Sequence, residues 1–466
     1  MQGASLPRAA WLAALSRLEG LAPAIALAEL RMLRRHHAHP EHGLDLQALR
    51  EILLCAQSLN LYGVEDADLA GELWLALWEN AKRCLDEERL RVSGWFGRRS
   101  QHQLALLLAL MSAWLLLREY VKSYAPLPQG FWLHCHGLFR EMAQRSWQGR
   151  RPIGGEGALG AWYRRVLLLG LCSCNRLDGV NQIRLMQWIC RYGPLLKLSP
   201  QGRTSGGWLI AERVDGPGRF AAESDGEEGI SWRADAEKVL RRILSGLQRQ
   251  ADAAAGDWML LSRLEREWRH PPRRRHIRQS LHNGETAVLL GKFDSCWRLA
   301  SGELALGESA SRLEIGNLSA SGMRLAGDFS DQDLQAGSLA MLKRQGSSWQ
   351  LGVVRWICLP RNGELADCGV EFVGKRPAAV LVAPHSSHPS GGLEKGLLLC
   401  AERQFQQRGV LVLPGRRYQA LRLFEVRQGE QAWQVRAQRL LLQTSACQLM
   451  EVRLAEPHEA EAKEGR

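Results

Sequence analysis

Residues Pro271–Arg278 read PPRRRHIR, and the chain changes character on either side of them. Proline lacks the backbone donor and pushes the residue before it out of the helical region, so the double proline ends whatever helix precedes it. Before it, residues 1–268 read as helical. Leu21–His36, Leu46–Leu59, Asp68–Leu85, Gln101–Tyr124, Phe131–Trp147, Trp162–Cys172, Ala234–Gln250 and Asp257–Arg269 each carry apolar residues every three or four positions. After it the signals are strand-like. Thr286–Leu290, Ser311–Ile315, Leu339–Leu342, Trp349–Cys358 and Cys368–Val373 are short apolar or alternating runs punctuated by Gly and Asp, as in an antiparallel barrel or sandwich. Directly after two prolines the backbone should be extended, with side chains alternating. Arg274, His276 and Arg278 then share one side, and Arg273 and Arg275 the other. Several guanidinium groups on such a hinge can fold over a small, doubly anionic ligand, pairing with phosphates and stacking on bases.

The whole chain fits this division. Its 466 residues exceed the usual size of one domain, and 45% hydrophobic with 24% charged residues excludes a wholly disordered or collagen-like chain. The net charge is +12, carried mostly by arginine, which points to an anionic partner. The expected fold class is therefore α+β multidomain. A large all-α N-terminal domain (1–268) precedes an antiparallel β-barrel with its arginine linker (269–382), a small C-terminal β unit (393–456) and a charged tail (457–466). A stretch rich in Pro, Ser and His around Pro384–Gly392 reads as the linker between the β units. Within the helical part, Gly206–Gly207 and Gly216–Pro217–Gly218 bracket one short hairpin. Leu104–Leu117 is apolar enough to suggest a membrane, but its fourteen residues suit a buried core helix better. Eleven cysteines at irregular spacing form no disulfide framework, and Arg8, Arg17 and Glu19 interrupt the apolar N-terminus. A reducing compartment, no cleaved signal and no membrane span are expected.

About forty residues past the arginines comes Asn317-Leu318-Ser319-Ala320-Ser321-Gly322, between two strand patterns. Asn and Ser present short polar groups at fixed offsets, and Gly322 permits either a positive φ or a close backbone approach. The order is arginine cluster, first strand, Asn-x-Ser-x-x-Gly, then Gly352–Trp356 (GVVRW) and Gly369–Phe372 (GVEF). In that order the segment Pro271–Val380 resembles a PilZ domain, the bacterial receptor module for cyclic di-GMP. Arg274–Arg278 matches its Arg-x-x-x-Arg signature and Asn317-x-Ser319-x-x-Gly322 its second one. The resemblance implies a six-stranded barrel with the arginine linker wrapping cyclic di-GMP. Arg274 and Arg278 would clamp phosphates and guanines with Arg273 and Arg275 in support, Asn317 and Ser319 would bond the base or phosphate edge, and Gly322 would set the turn. It also implies a cytoplasmic effector. The gap between the two motifs is longer than in most such domains, which suggests an extra hairpin or an altered pocket entry.

Other patterns read blandly. Gly155–Gly160 (GEGALG) matches the dinucleotide fingerprint as a string, but that fingerprint needs a buried strand before it, and Gln148–Pro152 offers none. His36, His37, His39 and His42 crowd a helix end without supporting carboxylates or cysteines, and His134-Cys135-His136 and Cys172-Ser173-Cys174 lack zinc-knuckle spacing, so no metal is expected. No nucleophile elbow, P-loop or His-Glu-x-x-His is present. The expected function is a non-enzymatic cyclic di-GMP effector that needs no cofactor and couples the nucleotide to a protein partner through the helical domain. The alternative is a scaffold of the same fold that ignores the nucleotide and binds only proteins, as in motility or secretion machinery. No nucleic-acid partner is expected, since the arginines are interleaved with Glu and no reader motif appears.

Overall fold

The structure is a computed structural model that describes residues 46–50, 53, 67–91, 99–152, 157–200, 207–220, 232–252, 254–269, 279–280, 284–304, 310–360, 364–384, 392–400, 409–415 and 417–455. The chain divides into two compact units, Met1–Cys174 with Asn181–Arg273, and Asn175–Val180 with Arg274–Arg466.

The first unit holds seven of the labelled helices. They are α1 (Ala67–Arg91), α2 (Arg99–Lys122), α3 (Phe131–Gln144), α4 (Leu159–Gly170), α5 (Gly179–Tyr192), α6 (Glu237–Gln248) and α7 (Ala255–Arg269). The helix expected at Leu21–His36 lies outside the described residues, and α5 was not read from the sequence. α2 packs against α1 and α4. Ala105–Leu117 is buried on every face of α2, which explains why its sequence shows apolar residues all round rather than one stripe. Among the described residues it is the one helix long and apolar enough to cross a membrane, and 83% of its most apolar stretch is covered by protein. Tryptophan fills the spaces between helices: Trp74, Trp78, Trp114, Trp132 and Trp162 are all buried.

The unit is not all-α. It carries a four-stranded antiparallel sheet of β1 (Lys197–Pro200), β2 (Trp208–Ile210), β3 (Arg219–Phe220) and β4 (Trp232–Asp235), in the order β1-β4-β2-β3. Only the β2–β3 hairpin has a turn signature; β1 and β4 are four residues each, too short for a periodicity to register. The hairpin loop has a structural task. Both Asp215 carboxylate oxygens accept from α3, from the N–H of Gly130 at 2.6 Å and of Trp132 at 2.9 Å, capping a helix that has no local cap. Next to it, His136 Nε2 donates to the Gly216 carbonyl (2.8 Å), which leaves Nδ1 to accept from the Tyr163 hydroxyl at 2.9 Å. This satisfied pair, with burial holding the His136 imidazole below its usual pKa, accounts for His136 as a packing residue.

A second polar node ties α1, α2 and α3 together. Glu141 accepts from Arg89 Nη2 at 2.8 Å and faces Nε2 of the fully buried His102 at 2.6 Å. Burial alone would raise the Glu141 carboxyl, but the hydrogen bonds from His102 and Arg89 overrule it and hold the group at about 2. A carboxyl depressed on folding stabilises fully above its unfolded pKa and loses that contribution as pH falls from about 4.5 toward 2. Because Arg89 is partly solvated, we discount the effect to about 1–2 kcal/mol. Chemical denaturation at pH 6 and pH 3 should show wild type losing that much more than Glu141→Gln over the interval.

The second unit contains two closed rings. Its strands are β5 (Gln279–Ser280), β6 (Thr286–Gly291), β7 (Ser311–Ser319), β8 (Gly322–Gly327), β9 (Leu339–Arg344), β10 (Gln350–Cys358), β11 (Ala366–Lys375), β12 (Ala378–Pro384), β13 (Glu394–Cys400), β14 (Gly409–Pro414), β15 (Leu423–Gln428), β16 (Gln431–Gln443) and β17 (Cys447–Leu454). The first sheet runs β5-β7-β6-β9-β10-β11-β8, and β8 also pairs with β7. Strands β6 to β11 therefore close into a six-stranded barrel, with β5 an extra strip on β7. The C-terminal β unit is a closed barrel in its own right, β12-β13-β14-β17-β16-β15. Its first strand, β12, begins at Ala378, before residue 382, so ring membership changes at Arg376–Pro377 rather than at the Ser/Pro-rich stretch. Arg376, with φ at +50°, makes a turn there that carries no glycine to announce it.

The long gap between the two sequence motifs is occupied by a helix, not a hairpin. α8 (Phe293–Ser301) follows β6 and ends in a left-handed Gly302, whose N–H bonds Leu299 while that of Glu303 bonds Arg298. Cys296 of α8 is buried, Phe293 and Trp297 are partly so, and all three join a core made from the outer faces of both rings. Leu290, Met341, Leu351 and Val353 come from the first, and Leu397, Leu399, Val412 and Leu449 from the second. Trp297 Nε1 donates to the Val380 carbonyl at 3.1 Å, and Lys395 pairs with Asp294 and lies 4.7 Å from the Trp297 ring centre.

Candidate functional site

Of the residues singled out by sequence, Asn317 and Ser319 stand near the end of β7 and Gly322 opens β8. Arg273, Arg274, Arg275 and Arg278 lie outside the described residues. What aims Asn317 and Ser319 is a β-bulge. Ile315 faces Leu325, both buried in the barrel; the register then shifts, so that Asn317 faces Arg324, Leu318 faces Met323 and Ser319 faces Gly322. The extra residue is Gly316. Were Gly316 paired regularly, alternation would put Asn317 on the same face as Ile315; because Gly316 is bulged out of the register, Asn317 and Ser319 join exposed Arg324 on the outer wall. A Cβ at Gly316 would meet the Arg324 stem at 3.4 Å, so the arginine lies across the bulge.

Gly322 is required by close approach rather than by a positive φ. A Cβ there would sit 2.3 Å from the Val370 carbonyl oxygen and 3.2 Å from Glu371 Cα, both backbone atoms of β11. The turn between the strands is only Ala320–Ser321, closed by Ser319 Oγ donating to the Gly322 carbonyl at 3.1 Å. On the other edge of β7, Gln279 pairs with Leu318 and Ser280 with Asn317. The strip that follows the arginine cluster is thus laddered onto the Asn-x-Ser segment.

The rest of the wall was quoted in sequence only as late strands. Trp356 of β10 faces Gly369 of β11, and a Cβ at Gly369 would overlap the indole Nε1 at 1.9 Å, so the Trp356 indole occupies the space that glycine leaves open. Gly369 in turn faces Arg324. Two cations beside Trp356 and Asn317 are already engaged. Arg324 binds Asp367 through Nε (3.0 Å) and Nη2 (2.5 Å), and Arg355 binds Glu371 at 2.5 Å. The bidentate bond to Asp367 raises the Arg324 pKa further. Among the described residues the wall therefore offers an aromatic plate and small polar groups with little uncompensated charge. Nothing in the sequence marked Arg324 or Asp367, because neither falls in either motif.

Comparison with known proteins adds one result for the other end of the chain. Residues 7–201 match the family model described as cyclic-di-GMP receptor FimW, N-terminal domain. The match ends one residue past β1, whose ladder partner β4 lies beyond it at Trp232–Asp235. No curated protein matches the chain. Among solved structures, the Bacillus subtilis inhibitor of motility MotI/DgrA aligns with 10% identity and a TM-score of 0.12, covering 38% of this chain and 90% of that one. The dinucleotide-like Gly155–Gly160 string leads into α4 at Leu159 with no strand in the described residues before it, and His36, His37, His39 and His42 lie outside them.

Proposed function

We propose that this protein is a cytoplasmic cyclic di-GMP effector in which the nucleotide sits on the outer wall of the first, PilZ-like barrel and is closed over by the arginines of residues 273–278. The observation that carries the reading is the β5–β7 register. Gln279 is bonded to Arg278, so the two Cα atoms are about 3.8 Å apart, and Gln279 is laddered to Leu318, between Asn317 and Ser319. The arginine signature therefore ends one residue before the strip that ladders onto the second signature, which supports a shared site. The wall's charge supports a division of labour: with Arg324 and Arg355 committed to Asp367 and Glu371, neutralising a dianion falls to Arg274 and Arg278, with Arg273 and Arg275 beside them. Asn317 and Ser319 then hydrogen-bond the base or phosphate edge, and Gly322 keeps the hairpin tight. The family match over residues 7–201, to the N-terminal domain of a cyclic-di-GMP receptor, agrees with this ligand from independent residues. In this reading the helical unit is the part that meets a protein partner and no bond is made or broken; the ligand acts by binding one arrangement of the chain better than another.

Titration calorimetry of the full chain with cyclic di-GMP tests it. Saturable binding at about micromolar or tighter is expected. Well-folded protein that gives no heat would leave the protein-binding scaffold as the reading. Affinity that falls steeply with salt and is shared by unrelated oligonucleotides would instead indicate a nucleic-acid binder.

A further inference from the structure

The helical unit has a cleft of about 630 Å³ between the start of α6, strand β1 and α4, within the size range of small-molecule sites. Six of its lining residues are charged: Arg164, Lys197, Lys238, Arg241, Asp235 and Glu237. Both acids are already occupied. Asp235 accepts from the N–H of Glu237 at 2.8 Å, and Glu237 is held by Arg269 and by Arg241. The backbone bond leaves the Asp235 charge in place, so four cations face two carboxylates and the lining carries an excess of two positive charges. One of the cations is unusual: Arg164 has its Nε buried with no hydrogen-bond partner. Burial lowers its pKa and no carboxylate offsets the cost. The N-terminal turn of α6, a helix of twelve residues whose first N–H is taken by Asp235, borders the same space. Pro194 and Leu195 supply an apolar wall beside the charges.

We propose that this cleft is a second ligand site, distinct from the barrel wall, that takes a small molecule bearing a phosphate or pyrophosphate group. The guanidinium of Arg164 would lie at the bottom of the site, where a dianion supplies the hydrogen bonds its buried nitrogen lacks. Lys197 and Lys238, both exposed at the rim, would close on the outer phosphate oxygens. A phosphate dianion fits better than a single carboxylate because the lining carries an excess of two positive charges.

The test uses the full chain, with pyrophosphate and inorganic phosphate as probes and sodium chloride added to hold ionic strength constant. Thermal unfolding should rise saturably with pyrophosphate at low millimolar concentration or below. In Lys197→Met/Lys238→Met, two exposed changes that leave the fold intact, the midpoint without ligand should be unchanged and the apparent affinity at least about tenfold weaker. Arg164→Met should remove the response altogether, while Arg278→Ala, on the barrel strap, should leave it untouched. No saturable shift, a shift equal in the lysine variant, a response shared by chloride alone, or saturation by polyglutamate and not by pyrophosphate would each overturn the proposal.

Discussion

Arg278→Ala is expected to weaken cyclic di-GMP binding by about 10–100-fold, and Arg274→Ala/Arg278→Ala to reduce it below calorimetric detection, with thermal unfolding of both proteins unchanged. The magnitude follows from the chemistry of the site. A charge-assisted hydrogen bond to a phosphate contributes roughly 1.5–3 kcal/mol, and the paired wall cations cannot substitute without stripping Asp367 or Glu371 of a partner. Ser319→Ala should cost less, about fivefold, because its hydroxyl is shared with the Gly322 carbonyl. Retained affinity in the double arginine variant would overturn the strap reading while leaving open a receptor that binds elsewhere. Loss of affinity in Arg278→Ala together with a lowered unfolding midpoint would show that the arginine is structural.

The second large effect concerns stability. Gly322→Ala should destabilise the chain by roughly 2–4 kcal/mol in urea unfolding. The new methyl meets backbone on β11, at 2.3 Å from the Val370 oxygen, and backbone cannot swing aside as a side-chain tip can. Relief requires β8 to separate from β11, which opens the barrel at the strand that carries Arg324 and Asn317's cross-strand neighbours. Cyclic di-GMP binding should therefore fall as well. Gly137→Ala is the control: it lies within α3 with nothing within 4 Å of its added Cβ, and should stabilise by up to about 1 kcal/mol. Equal behaviour of the two variants would mean that the β8–β11 contact is looser than described.

Much of this architecture was legible in the chain itself. In the first ring β6, β7, β9, β10 and β11 fall within a few residues of the runs read from sequence, because short apolar runs between Gly, Asp and Pro have few other solutions, whereas β8 and β12 were not read as strands. Yet sequences such as Gly396–Leu399 (GLLL), Gly409–Leu413 (GVLVL) and Leu339–Leu342 (LAML) lack clean alternation, and the reason became visible only in three dimensions. Leu398 and Leu411 point into their own ring, whereas Leu397, Leu399 and Val412 point at the neighbouring one. The four-stranded sheet of the first unit escaped notice because strands of two to four residues have no period. α8 escaped because nine residues give barely two helical turns and Gly302 reads equally well as a hairpin turn. At the site, the motifs named Asn317, Ser319 and Gly322. The bulge at Gly316 that turns two of them outward depends on the register of a strand pair, and no single-strand pattern encodes that.

The shared apolar seam between the rings makes them inseparable as well as adjacent. A fragment cut at Arg376 would keep all six strands of the first barrel but lay bare Leu290, Met341, Leu351 and Val353 along with α8, an oily flank that invites aggregation. The two barrels should accordingly melt together in a single calorimetric peak, and the terminal ring acts as the keel without which the first does not stay afloat in water.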